Sequence, residues 1–248
     1  MSEVVLWVFP IDKGLQSEVR EVAVALHQQH HSDQELQQVR KSFVHALNGV
    51  IDAGFDFYYV KPAADSDSLG PMVRRAVDSI MNTVRQAIHL VVQRIFRNMP
   101  LANLRVMAYY MDSMILTAPK NEDIGLLALP LNDGLGEQLM GVMDKIQASD
   151  EIHEYSDELL QVFSDIVMES AHYYYHLPTN YIKLNRFAKK AADIGVDTTV
   201  KGIKTVLKRV VREIDHKDIS ELPKYIHYLV VKVDVPYTVC APEFIADK

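Results

Sequence analysis

The chain has 248 residues, 48% of them hydrophobic and 24% charged, with a net charge of −7. These proportions fit a globular chain with ample surface to bury and exclude a disordered or collagen-like one. No run reaches the roughly 18 apolar residues needed to span a bilayer.

Val4–Phe9 is β-prone, and with Glu3 before it the run is too short and its start too acidic for an export signal. A first helix is predicted from Asp12 to His31, with Leu15, Val19, Val22 and Leu26 as its buried stripe. Ser32 and Glu35 have capping-box spacing, so a second helix starts there. It carries two seven-residue rows, Leu36, Phe43, Val50, Phe57 and Val39, Ala46, Ala53, Val60. Only a helix aligns such rows on one stripe, which then packs in a core or at an oligomer interface. Lys61–Gly70 reads as a loop. Pro71 then opens a helix to Asn98, where its missing N–H would be unpaired anyway.

Leu101–Ala118 is apolar almost all round and is expected to be a central buried helix. Ile124–Leu131 is a short strand or an extended packing segment. Helices are expected over Gly134–Ala148 and Asp150–His176, the second ended by Pro178. Asn180–Ala192 is a further helix punctuated by Gly195. Asp197 or Thr198 caps the next, to His216, and Glu221–Lys232 is the last. The whole reads as a mainly α, multi-helix bundle of about eight helices. Val4–Phe9 and Leu229–Val235 can pair into a minor two-stranded sheet. Residues 1–248 read as a single helical domain with no internal repeat, and any subdivision would fall near 119–131.

Charge is unevenly placed. Asn121–Ser170 holds twelve acids against one base, Lys145; Lys183–Lys217 holds ten bases against four acids. Met72–Asn98 carries five arginines against Asp78. Between Val200 and Ile214, Ile203, Leu207, Val210 and Ile214 share one helix face. Lys201, Lys204, Lys208 and Arg212, with Arg209 beside them, lie on the other. Such a face suits nucleic-acid phosphates, an anionic membrane or an acidic partner. Ala191, Gly195 and Val196 have helix-turn-helix spacing, but Lys201 and Lys204 stand where that motif needs apolar residues.

Candidate chemistry is sparse. Asp112 lies in an apolar stretch with Arg105 two helical turns earlier. A structural ion pair or a hydrogen-bonded core acid is expected over a catalytic acid, and any pocket is expected near Asp112. His27 and His31 are one turn apart beside His30, and Glu169 and His172 form a Glu-x-x-His pair. Neither group completes a metal set, so no metal ligand and no cofactor is expected. Asn132–Gly141 is glycine-rich before a helix but lacks the lysine and spacing of a phosphate loop. Nucleophile signatures are absent. A lone Cys240 forms no internal disulfide and points to a reducing, cytoplasmic setting. The expectation is a non-enzymatic helical interaction or scaffold protein with a protein partner, or a self-associating one. A nucleic-acid-binding regulator using residues 198–216 is the alternative, and a metal- or cofactor-binding helical enzyme a lesser one.

Overall fold

Residues 3–27, 32–65, 69–118, 121–149, 152–182, 184–213 and 216–234 are described by the structure, a computed structural model. Strand β1 (Glu3–Ile11) alternates as a strand must: Trp7, Phe9 and Ile11 join clusters with the helices. Leu6 and Val8 lie on the opposite face with Ala128. After it come α1 (Lys13–His27) and α2 (Asp33–Phe55). Ser32 and Glu35 form the expected capping box, and Phe43, Ala46 and Val50 of the heptad rows are buried in the core. Leu36, Val39, Ala53 and Phe57 of the same rows are half-buried and pack against that core.

The helix does not run on to Val60. Asp56–Val60 winds as a π turn, and Lys61–Asp65 is a short helix α3 in place of the expected loop. Helix α4 (Pro71–Phe96) has Pro71 in its first turn as predicted. The expected central helix stops early. It is α5 (Leu101–Ser113), and Ile115–Ala118 is strand β2, whose apolar residues serve a sheet. Ile124–Leu131 resolves as most of strand β3 (Asn121–Pro130), followed by α6 (Asp133–Ala148). Helix α7 (Ser156–Ala171) ends in a second π turn, His172–His176. Pro178 then sits in the first turn of α8 (Leu177–Asn180) instead of closing the helix. Helix α9 (Arg186–Glu213) is unbroken through Gly195, which corrects both the two-helix reading and the helix-turn-helix spacing. A β-carbon on Gly195 or Gly202 would lie 2.5 or 2.7 Å from Val91 or Val84. These glycines thus set a close α4–α9 approach and do not end a helix. Helix α10 (His216–Leu229) and strand β4 (Val230–Asp234) follow.

The fold is mainly α: among the described residues, eight helices of 13 to 28 residues accompany two short ones. The sheet is larger than the expected terminal pair. Four antiparallel strands run in the order β2–β3–β1–β4, with the expected β1–β4 pairing at one edge.

An internal duplication governs this arrangement. The order β1-α1-α2-π-α3-α4-α5-β2 recurs as β3-α6-α7-π-α8-α9-α10-β4, with a 3-10 turn, Ile152–Tyr155, added before α7. Asp12 and Asn132 each cap a helix by accepting from a leucine N–H, Leu15 at 2.8 Å and Leu135 at 2.9 Å. Around them Pro10-Ile-Asp-Lys-Gly-Leu15 matches Pro130-Leu-Asn-Asp-Gly-Leu135. The π turns match too, as Phe57-Tyr-Tyr-Val-Lys-Pro62 and Tyr173-Tyr-Tyr-His-Leu-Pro178. Strand register obeys the same two-fold relation. Val8 faces its counterpart Ala128, and Leu6 faces Pro130 as Pro10 faces Leu126. Leu6 then meets Val231 of β4 just as Leu126 meets Leu116 of β2, so each half's last strand pairs with the other half's first.

Candidate functional site: two apolar chambers

The same two-fold relation creates a pair of partly open chambers of about 310 and 200 Å³. Their walls correspond position by position. Along α2 and α7, Phe43, Leu47, Val50 and Gly54 of the first chamber match Leu159, Phe163, Ile166 and Ser170 of the second. Along α5 and α10, Met107, Tyr110, Met111 and Met114 match Leu222, Tyr225, Ile226 and Leu229. The inner strand face supplies Leu127 to one and Trp7 to the other. The residues that line both chambers are Tyr58, Tyr59 and Ser170.

The π turns position this junction. A π turn leaves main-chain oxygens outside the regular i→i−4 ladder, and such turns recur at functional sites. Here a tyrosine from the opposite half meets each one. The Tyr110 hydroxyl donates to the Tyr173 carbonyl and the Tyr225 hydroxyl to the Phe57 carbonyl, both at 2.8 Å. Between them the Tyr58 ring stacks on Trp7, with centroids 5.6 Å apart and planes 17° apart, and meets the Phe9 ring edge-on at 5.4 Å. Its hydroxyl is buried and makes no hydrogen bond. Burial, and then the neighbouring phenols of Tyr174, Tyr59 and Tyr225, push it well above the usual tyrosine range. Burial raises Tyr59 likewise. Tyr175 is raised by burial and by its 2.7 Å hydrogen bond to Asp193. Among the described residues, no Lys, Arg, His, Asp or Glu lines either chamber.

The residues singled out from the sequence lie elsewhere. Asp112 is not buried: its side chain is 40% exposed and lies 3.9 Å from Arg20. Arg105 instead donates to the Leu26 carbonyl at 2.5 Å. A guanidinium suits the carbonyl end of α1, whereas Asp112 lies two helical turns away, about 10 Å along the axis. Lys201, Lys208 and Arg212 are exposed on α9, with Lys204 and Arg209 half-buried, and Ile203, Val206 and Val211 face inward. His27 meets the Tyr109 ring edge-on; His30, His31, Ile214 and Cys240 lie outside the described residues. Glu169 is half-buried and His172 exposed, and among the described residues no acidic, histidine or cysteine group is placed to hold a metal. Asn132 caps α6, and Gly136 lets that helix approach Val5, where a β-carbon would sit 3.0 Å away.

Sequence reading missed one polar cluster. Asp52 lies 3.0 Å from His89 Nε2 and 3.5 Å from Arg85 Nε, and Arg85 also reaches Asp56. Asp52/Asp56 and Arg85/His89 are each one helical turn apart, so the cluster ties α2 to α4. Its residues line neither chamber. Among the described residues no helix is long and apolar enough to cross a membrane. Comparison of the chain with known protein families, curated proteins and solved structures gives no match.

Proposed function

We propose that this chain is a non-enzymatic binding protein that takes up an apolar small molecule in its interior. The observation that carries the reading is the pair of matched chambers, walled by apolar and aromatic side chains and sharing Tyr58 and Tyr59 as wall residues. The larger is near the lower end of the roughly 300–1,000 Å³ usual for small-molecule sites. Packed interiors seldom retain such space, because every void costs dispersion contacts and cavity energy. Among the described residues, the chamber walls carry no Asp, Glu, His or Cys, the side chains that acid–base or metal chemistry would call on.

Titration with the apolar dye N-phenyl-1-naphthylamine tests it. Saturable, blue-shifted emission is expected, and Leu47→Trp, which fills the first chamber, should weaken it while helical circular dichroism persists. Unchanged dye emission with the wild-type chain would sink the reading.

A second reading, contact with another protein or a second copy, draws on the outer face of α4 and α9. Met72 and Leu90 of α4 are 77 and 67% exposed and Phe187 and Ile194 of α9 are 89 and 57% exposed, and Lys201, Lys208 and Arg212 are exposed further along α9. Exposed apolar side chains of this number suit a partner surface better than bulk water. Light scattering across a salt series distinguishes the partners. Self-association that survives high salt supports the reading, whereas co-eluting nucleic acid released by salt would replace it with the nucleic-acid regulator.

A further inference from the structure

We infer that the Tyr58 hydroxyl is the polar recognition point for a neutral, elongated ligand bearing one hydrogen-bond-accepting oxygen. The ligand's hydrocarbon part lies in the chambers that meet at that residue. The inference rests on the binding reading above and names the class of molecule bound.

Four observations carry it. Among the described residues, the Tyr58 hydroxyl is the buried side-chain polar atom on either chamber wall that makes no hydrogen bond. A buried donor without a partner is costly, and native proteins rarely retain one without a use. Five other wall hydroxyls are satisfied internally. Those of Tyr110 and Tyr225 reach the two π turns, and Ser170, Thr179 and Thr199 bond to carbonyls one turn back. The Trp7 stack and the Phe9 edge contact hold the Tyr58 ring in place, so its hydroxyl stays where two chambers share a wall.

Charge then selects the ligand. With no cationic side chain among the described residues of either wall, a buried carboxylate or phosphate would be unpaired, and burying an unpaired charge costs far more than one hydrogen bond returns. A ketone, ester or alcohol oxygen meets no such penalty. Tyr58 keeps its proton across the physiological range, so it donates to that oxygen.

Displacement of N-phenyl-1-naphthylamine by 2-decanone and by decanoate at pH 8, with wild type and Tyr58→Phe, tests this. Wild type should bind 2-decanone at least tenfold more tightly than decanoate. Tyr58→Phe should weaken 2-decanone about five- to tenfold more than it alters dye affinity, the effect of one neutral hydrogen bond. The infrared carbonyl stretch of 2-decanone bound to wild type should lie below its frequency in alkane, a reading independent of the variant. Dye binding with equal 2-decanone affinity in both proteins, or with no shift of the stretch, would overturn the Tyr58 assignment and leave the chambers standing. Tighter binding of decanoate would overturn the neutrality of the ligand. Failure of wild type to bind either the dye or the ketone would remove the binding reading itself.

Discussion

The phenols of Tyr110 and Tyr225 each reach a main-chain oxygen in the other half's π turn. Both bonds are part-buried, so a phenylalanine at either position leaves a carbonyl without its donor. Tyr110→Phe and Tyr225→Phe should each lower unfolding free energy by about 1–2 kcal/mol in urea titrations. Losses near zero at both positions would mean that water replaces the phenols. The raised proton affinity of Tyr58 has a consequence at high pH. The folded chain keeps this proton where an unfolded tyrosine, with a pKa of about 10, has lost it. Its contribution is therefore whole below about pH 10 and declines above it, by at most about 1.4 kcal/mol per pH unit for the one group. Tyr58→Phe should show a shallower loss of stability between pH 10 and 11.5 than wild type. Identical slopes would show that the phenol ionises freely in the fold.

At the scale of elements, the helices with clear stripes and caps were legible. The capping box at Ser32, the first-turn Pro71 and the Gly134–Ala148 helix all stand where periodicity and end signals put them. The errors lie where a local breaker has a tertiary use. Gly195 and Pro178 read as stops, yet one permits a close helix approach and the other occupies a helix's first turn after a π turn. Leu101–Ala118 read as one buried helix because a short apolar strand and a buried helix share a composition. The two glycine roles separate by mutation. Gly141, inside α6, has open space where a β-carbon would go, so Gly141→Ala should stabilise the chain by about 0.5–1 kcal/mol through helix propensity. At Gly195 the added carbon meets Val91 at 2.5 Å, and an overpacking cost of about 1–3 kcal/mol outweighs that gain. Thermal melts moving in opposite directions are the expected outcome. A Gly195→Ala melt as high as that of Gly141→Ala would show that α4 and α9 separate at little cost.

For the whole molecule, the sequence held the duplication only in fragments. Pro10–Leu15 recurs 120 positions later at Pro130–Leu135, but Phe57–Pro62 recurs 116 positions later at Tyr173–Pro178. Connections of different length break the offset, and between these fragments burial demands only an apolar residue, as with Phe43 and Leu159 or Leu104 and Ile219. The chambers inherit that obscurity, since their walls are ordinary core residues until the fold pairs them. Asp112 looked like the polar heart of the molecule because an acid in an apolar run draws notice, whereas a tyrosine among aromatics does not. The two-fold pairing also makes a physical demand on assembly. Residues 119–120 join the halves, yet β1 lies between β3 and β4, and β3 between β1 and β2. A half on its own therefore leaves both of its strands without partners, since every strand pairing crosses between the halves, and opens its chamber. Residues 1–118 and 121–248 produced together as separate chains should associate and recover the intact chain's dye binding, because the central β1–β3 ladder and the α4–α9 contact run between them. Two halves that each fold as monomers and elute apart would show that the interleaved sheet does not hold the molecule together.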